Sequence, residues 1–307
     1  MKKILIMFLA MLIFISVFPI FHLFMINSVK DSDGYKGGGL KISVYNTKTD
    51  KVTEEDIEEY LIGVVTAEMP ALYEVEALKA QAVAARSYIL TKIGKDNPDH
   101  KGADVCTNPA HCKAYTSADE AKEKWGKDYD KYYKKIKSAV ESTSGEYISY
   151  QGETAVACFY AVGGGRSENA SDVWGGDTPY LRSVESVGDL SYENLKETVS
   201  FSKDEALSRL GTNTLEIGVL KRTEGGSVKN VVIDGKEYSG TEIRSLFGLN
   251  SANFEISITE KELIFITTGK GHGVGMSQYG ANQMAKDGKT YDEILLHYYQ
   301  GVTVEKI

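Results

Sequence analysis

Glu74-Val75-Glu76-Ala77-Leu78-Lys79-Ala80-Gln81-Ala82-Val83-Ala84-Ala85-Arg86-Ser87-Tyr88-Ile89-Leu90 reads as one helix that continues to about Ile93. Leu78, Ala82, Ala85 and Ile89 recur at helical spacing as a buried stripe, and the alanines let another backbone approach closely. Lys79 and Arg86, seven residues apart, share a different face, where two cations suit acidic substrate groups or keep a nearby carboxylate ionised. Upstream, Ile57, Tyr60, Leu61, Val64 and Val65 repeat with the same period until Pro70 stops the element, and Thr53-Glu54-Glu55-Asp56 has the pattern of a capping box. Two helices separated by a proline turn, the second rich in alanine, predict a packed helical core.

Working outward, Lys41 to Tyr45 alternates like a half-buried strand, and the polar stretch 95–128 reads as an insertion. A helix is expected over Asp130 to Thr143, then a hairpin in which Glu146–Tyr150 and Thr154–Ala161 flank Gln151-Gly152. Residues from about 190 to 260 carry their own helix signals (Ser202–Leu210, Thr241–Phe247) and a turn at Asp234-Gly235, and are expected to form a second lobe. A strand (Leu263–Thr267), a glycine-rich turn, two short helices (Met276–Lys286, Tyr291–Tyr299) and a last strand (Val302–Lys306) close the chain. The fold class expected is α+β, with helices and small antiparallel sheets forming a cleft.

The N-terminus reads differently. Met1-Lys2-Lys3 precedes Ile4 to Ile26, an apolar run broken only by Ser16, Pro19 and His22. Crossing a bilayer takes ~20 largely apolar residues, whereas a cleavable signal peptide has an apolar region of ~7 to 15 and a small-residue cleavage site, which is not seen after Ile26. Lysines before the run and Asp31 and Asp33 after it place the N-terminus in the cytoplasm. The expected organisation is a cytoplasmic tip (1–3), one transmembrane helix (4–26), a glycine-rich tether (27–39) and an extracytoplasmic domain (40–307); a buried core helix is the plainer alternative for 4–26.

A hydrophobic fraction of 42% with 25% charged residues fits a globular protein rather than a disordered one. The formal charge of -8 and the lack of Lys/Arg clusters argue against nucleic acid as a partner, and Lys134, Lys135 and Lys137 read as a solvated helix face.

Chemistry concentrates in three places. Glu68 stands at a helix end among Val64, Val65, Met69 and Leu72, a setting in which burial favours a protonated carboxyl, as an acid catalyst of glycosidic cleavage requires. Glycoside hydrolases use two carboxylates, and no clear second one is seen; a lytic transglycosylase manages with one, since a substrate hydroxyl attacks and the same carboxyl donates and then accepts the proton.

His100, Cys106, His111 and Cys112 gather two of the five histidines and two of the three cysteines in one short segment. Four such ligands suit a closed, structural zinc site, whereas catalytic zinc keeps one position open; a Cys106–Cys112 disulfide is the alternative. Cys158, in an apolar segment, reads as a core thiol.

The third place is Gly269-Lys270-Gly271-His272-Gly273-Val274-Gly275-Met276-Ser277-Gln278-Tyr279-Gly280, which is neither a P-loop nor a dinucleotide fingerprint. Its His272, Ser277, Gln278 and Tyr279 suit hydrogen bonds to sugar hydroxyls and N-acetyl groups, a purely structural strand-to-helix turn being the alternative. His297 reads as a packing residue.

Together, Glu68-Met69-Pro70, the Glu76–Tyr88 segment and Gly271–Ala281 closely resemble the stage II sporulation protein D family, and Asp104-Val105-Cys106 with His111-Cys112 is similar to its cysteine–histidine segment. The resemblance implies a membrane-anchored lytic transglycosylase that cuts stem-peptide-free peptidoglycan glycan strands to 1,6-anhydro-N-acetylmuramic acid ends, in the mother-cell membrane during engulfment of the forespore. It implies Glu68 as the catalytic acid/base, Lys79, Gln81, Arg86, Tyr160, His272, Ser277 and Gln278 as cleft residues, and zinc on His100, Cys106, His111 and Cys112, as in the family's clostridial branch. An amidase and a membrane protein of the engulfment complex are the implied partners. Two departures stand out: Phe159 to Arg166 lacks the expected Ser/Thr pair, and Lys113 stands where Gln is common. Similar domains also occur in non-catalytic activators of peptidoglycan amidases, which is the rival reading; a zinc amidase fits less well, for want of an open metal position.

Overall fold

The computed structural model describes residues 39–95 and 97–307. The expected tip, transmembrane helix and nearly all of the tether lie outside the described residues; among the described residues no helix is long and apolar enough to cross a membrane.

The described part starts with a hairpin of β1 (Lys41–Asn46) and β2 (Lys51–Asp56), with Val44 opposite Thr53. The expected capping box at Thr53 is therefore a strand: Thr53 donates to Glu55 at 2.8 Å, and the helix cap is Asp56, whose carboxylate accepts from the N–H groups of Glu58 (2.9 Å) and Glu59 (3.4 Å). α1 (Ile57–Glu68) follows, with Met69 in extended conformation ending it before Pro70.

α2 (Val75–Leu90) is the centre of the molecule. It packs on α1, on α4 (Tyr129–Ser142), on β4 (Glu146–Tyr150), and on the C-terminal α8 (Gln278–Lys286) and α9 (Tyr291–Tyr298). Neighbours on several sides explain why alanine dominates: Ala80, Ala82, Ala84 and Ala85 are all fully buried, and larger side chains would hold those elements apart. Leu61 and Leu78 are fully buried in the same core, each contributing roughly 1.5–3 kcal/mol.

Between α2 and α4 lie β3 (Val105–Cys106), parallel to β1, and α3 (Ala118–Trp125), which starts at a capping box of Ser117 and Glu120. This stretch is no mere insertion, since it packs along α1: the ring of Tyr115 stacks on Tyr60 with centroids 5.2 Å apart, and Thr116 N–H donates to the Gly63 carbonyl at 3.1 Å. Gly63 makes this possible, because a Cβ there would lie 2.2 Å from the Tyr115 ring.

β4 turns at Gln151-Gly152 into β5 (Glu153–Thr154), and the chain then leaves the hairpin to form β6 (Phe159–Tyr160). After α5 (Ala170–Val173), residues 196–268 form β7 (Lys196–Ser202), α6 (Lys203–Leu210), β8 (Ile217–Arg222), β9 (Val228–Ile233), β10 (Lys236–Ser239), α7 (Gly240–Phe247), β11 (Phe254–Ile258) and β12 (Glu262–Thr268). Their sheets run β10-β9-β8 and β11-β12-β7, around a second hydrophobic cluster that includes Phe247, Phe254 and Phe265.

β13 (Met276–Ser277) pairs with β6, and β14 (Thr303–Lys306) adds to β4. The molecule is α+β with small sheets, but not all of them are antiparallel as expected: β1–β3 and β6–β13 are parallel pairs of two residues each.

Arg86 is fully buried, against the expectation that it faces a substrate. Its Nε donates to Glu58 Oε1 at 2.8 Å, its Nη2 to Glu58 Oε2, and its Nη1 to the Glu146 carbonyl at 2.8 Å; Gly145 N–H also reaches Glu58 Oε1 at 3.0 Å. Replacing Glu58 with Ala leaves this guanidinium buried without its counter-charge and is expected to cost about 3–5 kcal/mol in urea denaturation; a loss under about 1 kcal/mol would mean that water reaches the pair.

Candidate functional site

Glu68 is the last residue of α1 and half-buried. Its Oε1 accepts the backbone N–H of Ala114 at 3.0 Å, the only hydrogen bond its carboxylate makes among the described residues. The docked segment 113–116 thus holds one carboxylate oxygen, and the other stays available.

The carboxylate opens on a cleft of about 520 Å³. Met69 to Tyr73 line one side, Lys124, Trp125 and Tyr132 another, and Ala161, Val162, Tyr192 and Gln278 the remainder. Aromatic faces with a few polar groups suit a carbohydrate better than a flat apolar ligand. Among the described lining residues Glu68 is the one acid.

Of the residues singled out in the sequence, Glu68 and Gln278 meet in this cleft. Gln81 lies behind it, fully buried, accepting from Gln278 Nε2 at 3.2 Å. Tyr279 packs edge-on against Tyr73 and Tyr192, with centroids 6.2 and 4.9 Å apart, and so supports the aromatic wall.

The others are elsewhere. Lys79 donates to Glu76 at 2.8 Å and lies over the Tyr291 ring, where Glu76 also accepts the Tyr291 N–H at 2.9 Å, so it belongs to the α2–α9 junction. Ser277 is fully buried: its hydroxyl donates to Asp189 at 2.6 Å and accepts from Gly280 N–H at 3.1 Å, which makes it the N-cap of α8 rather than a sugar ligand. Tyr160 is 4% exposed, closed off from substrate, and its ring faces His272 at 6.0 Å.

His272 lies in a second, much smaller cavity with Arg166, Glu168, Ser251 and Asn253. Its Nδ1 accepts the Val274 N–H at 3.1 Å and its ring packs on Trp174. The glycine-rich segment is therefore largely structural: a Cβ on Gly280 would fall 2.2 Å from the Tyr298 hydroxyl and 2.3 Å from Ser186 Oγ.

Sequence reasoning missed Trp125, Tyr132, Tyr73 and Tyr192, whose convergence no local spacing announces. It also missed Asp189, fully buried, which accepts from Ser277 and from Gly163 N–H (2.9 Å) and so ties three segments together; burial raises its pKa.

Next to Glu68 stands Lys113. Its Nζ sits 3.8 Å from the Phe159 ring centroid and 4.2 Å from that of Tyr88. Burial lowers the pKa of this ammonium, and the nearby Glu68 carboxylate opposes the shift.

One residue before it the His/Cys cluster ends. The ligand atoms of His100, Cys106, His111 and Cys112 all lie within 4.8 Å of one another. Cys106 and Cys112 are free thiols, which sets the disulfide alternative aside. His100 Nδ1 lies 3.2 Å from the Ala103 carbonyl and His111 Nε2 lies 3.7 Å from Asp99, so outer partners turn His100 Nε2 and His111 Nδ1 inward, as in metal sites. The donor set fits one tetrahedral ion. Burial raises the Cys112 thiol pKa, so a metal must displace its proton.

Comparison with known proteins gives the family. The family profile "SpoIID: Stage II sporulation protein" matches residues 45–150. The chain is 39% identical over 282 residues to "Stage II sporulation protein D" of Bacillus subtilis (strain 168), covering 90% of this chain and 82% of that protein. The chain belongs to the stage II sporulation protein D family. The Bacillus amyloliquefaciens protein of the same name is 38% identical over 88% of this chain and 80% of its own length. A more distant relative, "Amidase enhancer" of Bacillus subtilis (strain 168), is 28% identical, covering 80% of this chain and 40% of that protein. Membership in this family makes the chain a sporulation protein.

Two outcomes follow. Chelating any metal that this cluster holds, or replacing His111 with Ala, is expected to lower the thermal midpoint and release the ion; metal loss with an unchanged midpoint would contradict a structural role. His272 is the second: burial, with the charges of Lys113 and Arg244, lowers its pKa from 6.5 to about 4. Between those values the unfolded chain binds more protons, so its contribution is complete above pH 6.5 and is lost as pH falls toward 4. His272→Gln is expected to flatten that limb of the pH–stability profile in urea titrations; an unaltered slope would contradict the shift.

Proposed function

We propose that this protein is a lytic transglycosylase that cleaves peptidoglycan glycan strands after their stem peptides have been removed, with Glu68 as acid and then base. The observation that carries this reading is a single carboxylate, held by the Ala114 N–H at 3.0 Å, in a sugar-sized aromatic cleft. Protonated Glu68 gives its proton to the glycosidic oxygen as the bond to C1 of N-acetylmuramic acid breaks. The C6 hydroxyl of the same sugar attacks C1, and the Glu68 carboxylate takes the hydroxyl proton, leaving a 1,6-anhydro end. A hydrolase would need a second carboxylate to activate water or attack C1.

The His/Cys cluster would bind zinc in a closed, structural site, since all four positions are filled by protein ligands. By holding Cys112, it would brace the segment that carries Ala114 to Glu68. Residues 4–26 would anchor the protein in the mother-cell membrane with residues 40–307 outside, where an amidase and a membrane protein of the engulfment complex are the proposed partners.

The relative named "Amidase enhancer" supports a second reading, a wall-binding activator without chemistry of its own. Incubating wild type and Glu68→Gln with peptide-free glycan strands separates the two. The expected result is 1,6-anhydro products from wild type and at least roughly a thousandfold loss in the variant, at unchanged thermal stability. Cleavage by neither protein would favour the activator.

A further inference from the structure

A glycan strand is a polymer, so a cleft that cuts it holds only the sugars around the scissile bond, and the rest of the strand must leave across the surrounding surface. One rim of the Glu68 cleft is built from Trp125, at the end of α3, and Tyr132, on α4, with ring centroids 5.6 Å apart. The rings do not stop at the rim. Tyr129 lies 6.4 Å from Trp125, and Tyr133 stacks on Tyr129 at 5.3 Å with an interplanar angle of 26°. Tyr129, Tyr132 and Tyr133 stand at helical spacing on one face of α4. That face changes character along the helix: Ile136, Ala139 and Val140 are buried, whereas the three tyrosines before them are only half-buried. Tyr132 and Tyr133 lean on the core, but Tyr129 belongs to neither hydrophobic cluster. Among the described residues none of the three hydroxyls has a hydrogen-bond partner.

We infer that the face formed by Trp125, Tyr129 and Tyr133 binds further sugar units of the strand outside the cleft, and so makes the protein favour long strands over short ones. This rests on the transglycosylase reading above. A pyranose ring offers a flat side of C–H bonds and a rim of hydroxyls, and a tyrosine ring with its hydroxyl unused matches both. The spacing from ring to ring is comparable with the length of one pyranose unit, so successive sugars meet successive rings. Continuity with the cleft points to a strand rather than a protein as the occupant: Trp125 and Tyr132 belong both to the cleft wall and to this face, so a strand lying against Glu68 already touches the first ring. The Lys122 ammonium, 5.9 Å from the Tyr129 ring centroid, makes a long and solvated contact that a sugar displaces at little loss.

The test compares kcat/KM of the full chain, per scissile bond, on a peptide-free tetrasaccharide and a peptide-free dodecasaccharide of the same repeat. Wild type is expected to prefer the longer oligomer by about 3- to 10-fold, the range of one aromatic stacking contact. Tyr129→Ser should bring that ratio close to one, with the loss in KM for the dodecasaccharide, while Tyr129→Phe, which keeps the ring, should retain most of it. Both oligomers are read on the same preparation, so a partly misfolded variant changes the two rates together and leaves the ratio meaningful. No length preference in wild type, a ratio unchanged in Tyr129→Ser, or equal losses on both oligomers would overturn the inference. Failure of wild type to cleave either oligomer would instead remove the transglycosylase reading on which it rests.

Discussion

An ion pair sealed inside the core sets the frame for everything else. Arg86 of α2 and Glu58 of α1 meet with almost no exposure, and their remaining hydrogen bonds go to the backbone at 140, 145 and 146. Two helices and the start of β4 are thereby fixed in register, because a guanidinium fork and a carboxylate tolerate little displacement. Glu68 ends the helix that carries Glu58, so the position of the proposed acid follows from a charge pair it never touches. Near the other cleft wall, Asp189 does comparable work through Ser277 and Gly163.

On this frame the segment from His100 to Thr116 serves two purposes. Its first part gathers the four candidate metal-ligating side chains, and its last part lies along α1, placing one N–H on Glu68 and one ring over Gly63. The candidate metal site and the N–H that holds the acid are thus parts of one short stretch of backbone. Loosening the cluster reaches the acid through two residues of backbone and the Ala114–Glu68 hydrogen bond, without any long-range coupling.

The helices were legible because their apolar periodicity is strong: the Ala-rich α2 and the proline stop behind Glu68 both stand where the pattern puts them. Strand β2 was not, since Thr53-Glu54-Glu55-Asp56 carries cap chemistry and only pairing with β1 decides its state. Arg86 misled for a related reason. Helical spacing tells which residues share a face, but not whether that face meets water or a buried glutamate. The cleft aromatics come from segments near residues 73, 125, 132 and 192, and nothing local foretells that they converge. The His/Cys cluster, by contrast, was legible as a candidate because its ligands are close in sequence.

The central claim is that one carboxylate suffices because the substrate supplies its own nucleophile. The most direct measurement is to run the reaction in ¹⁸O-enriched water and weigh the products. Intramolecular attack predicts products without solvent oxygen, lighter than hydrolysis products by one water; one ¹⁸O atom at each new reducing end would contradict the account and require a water-activating group that the cleft does not contain among its described residues.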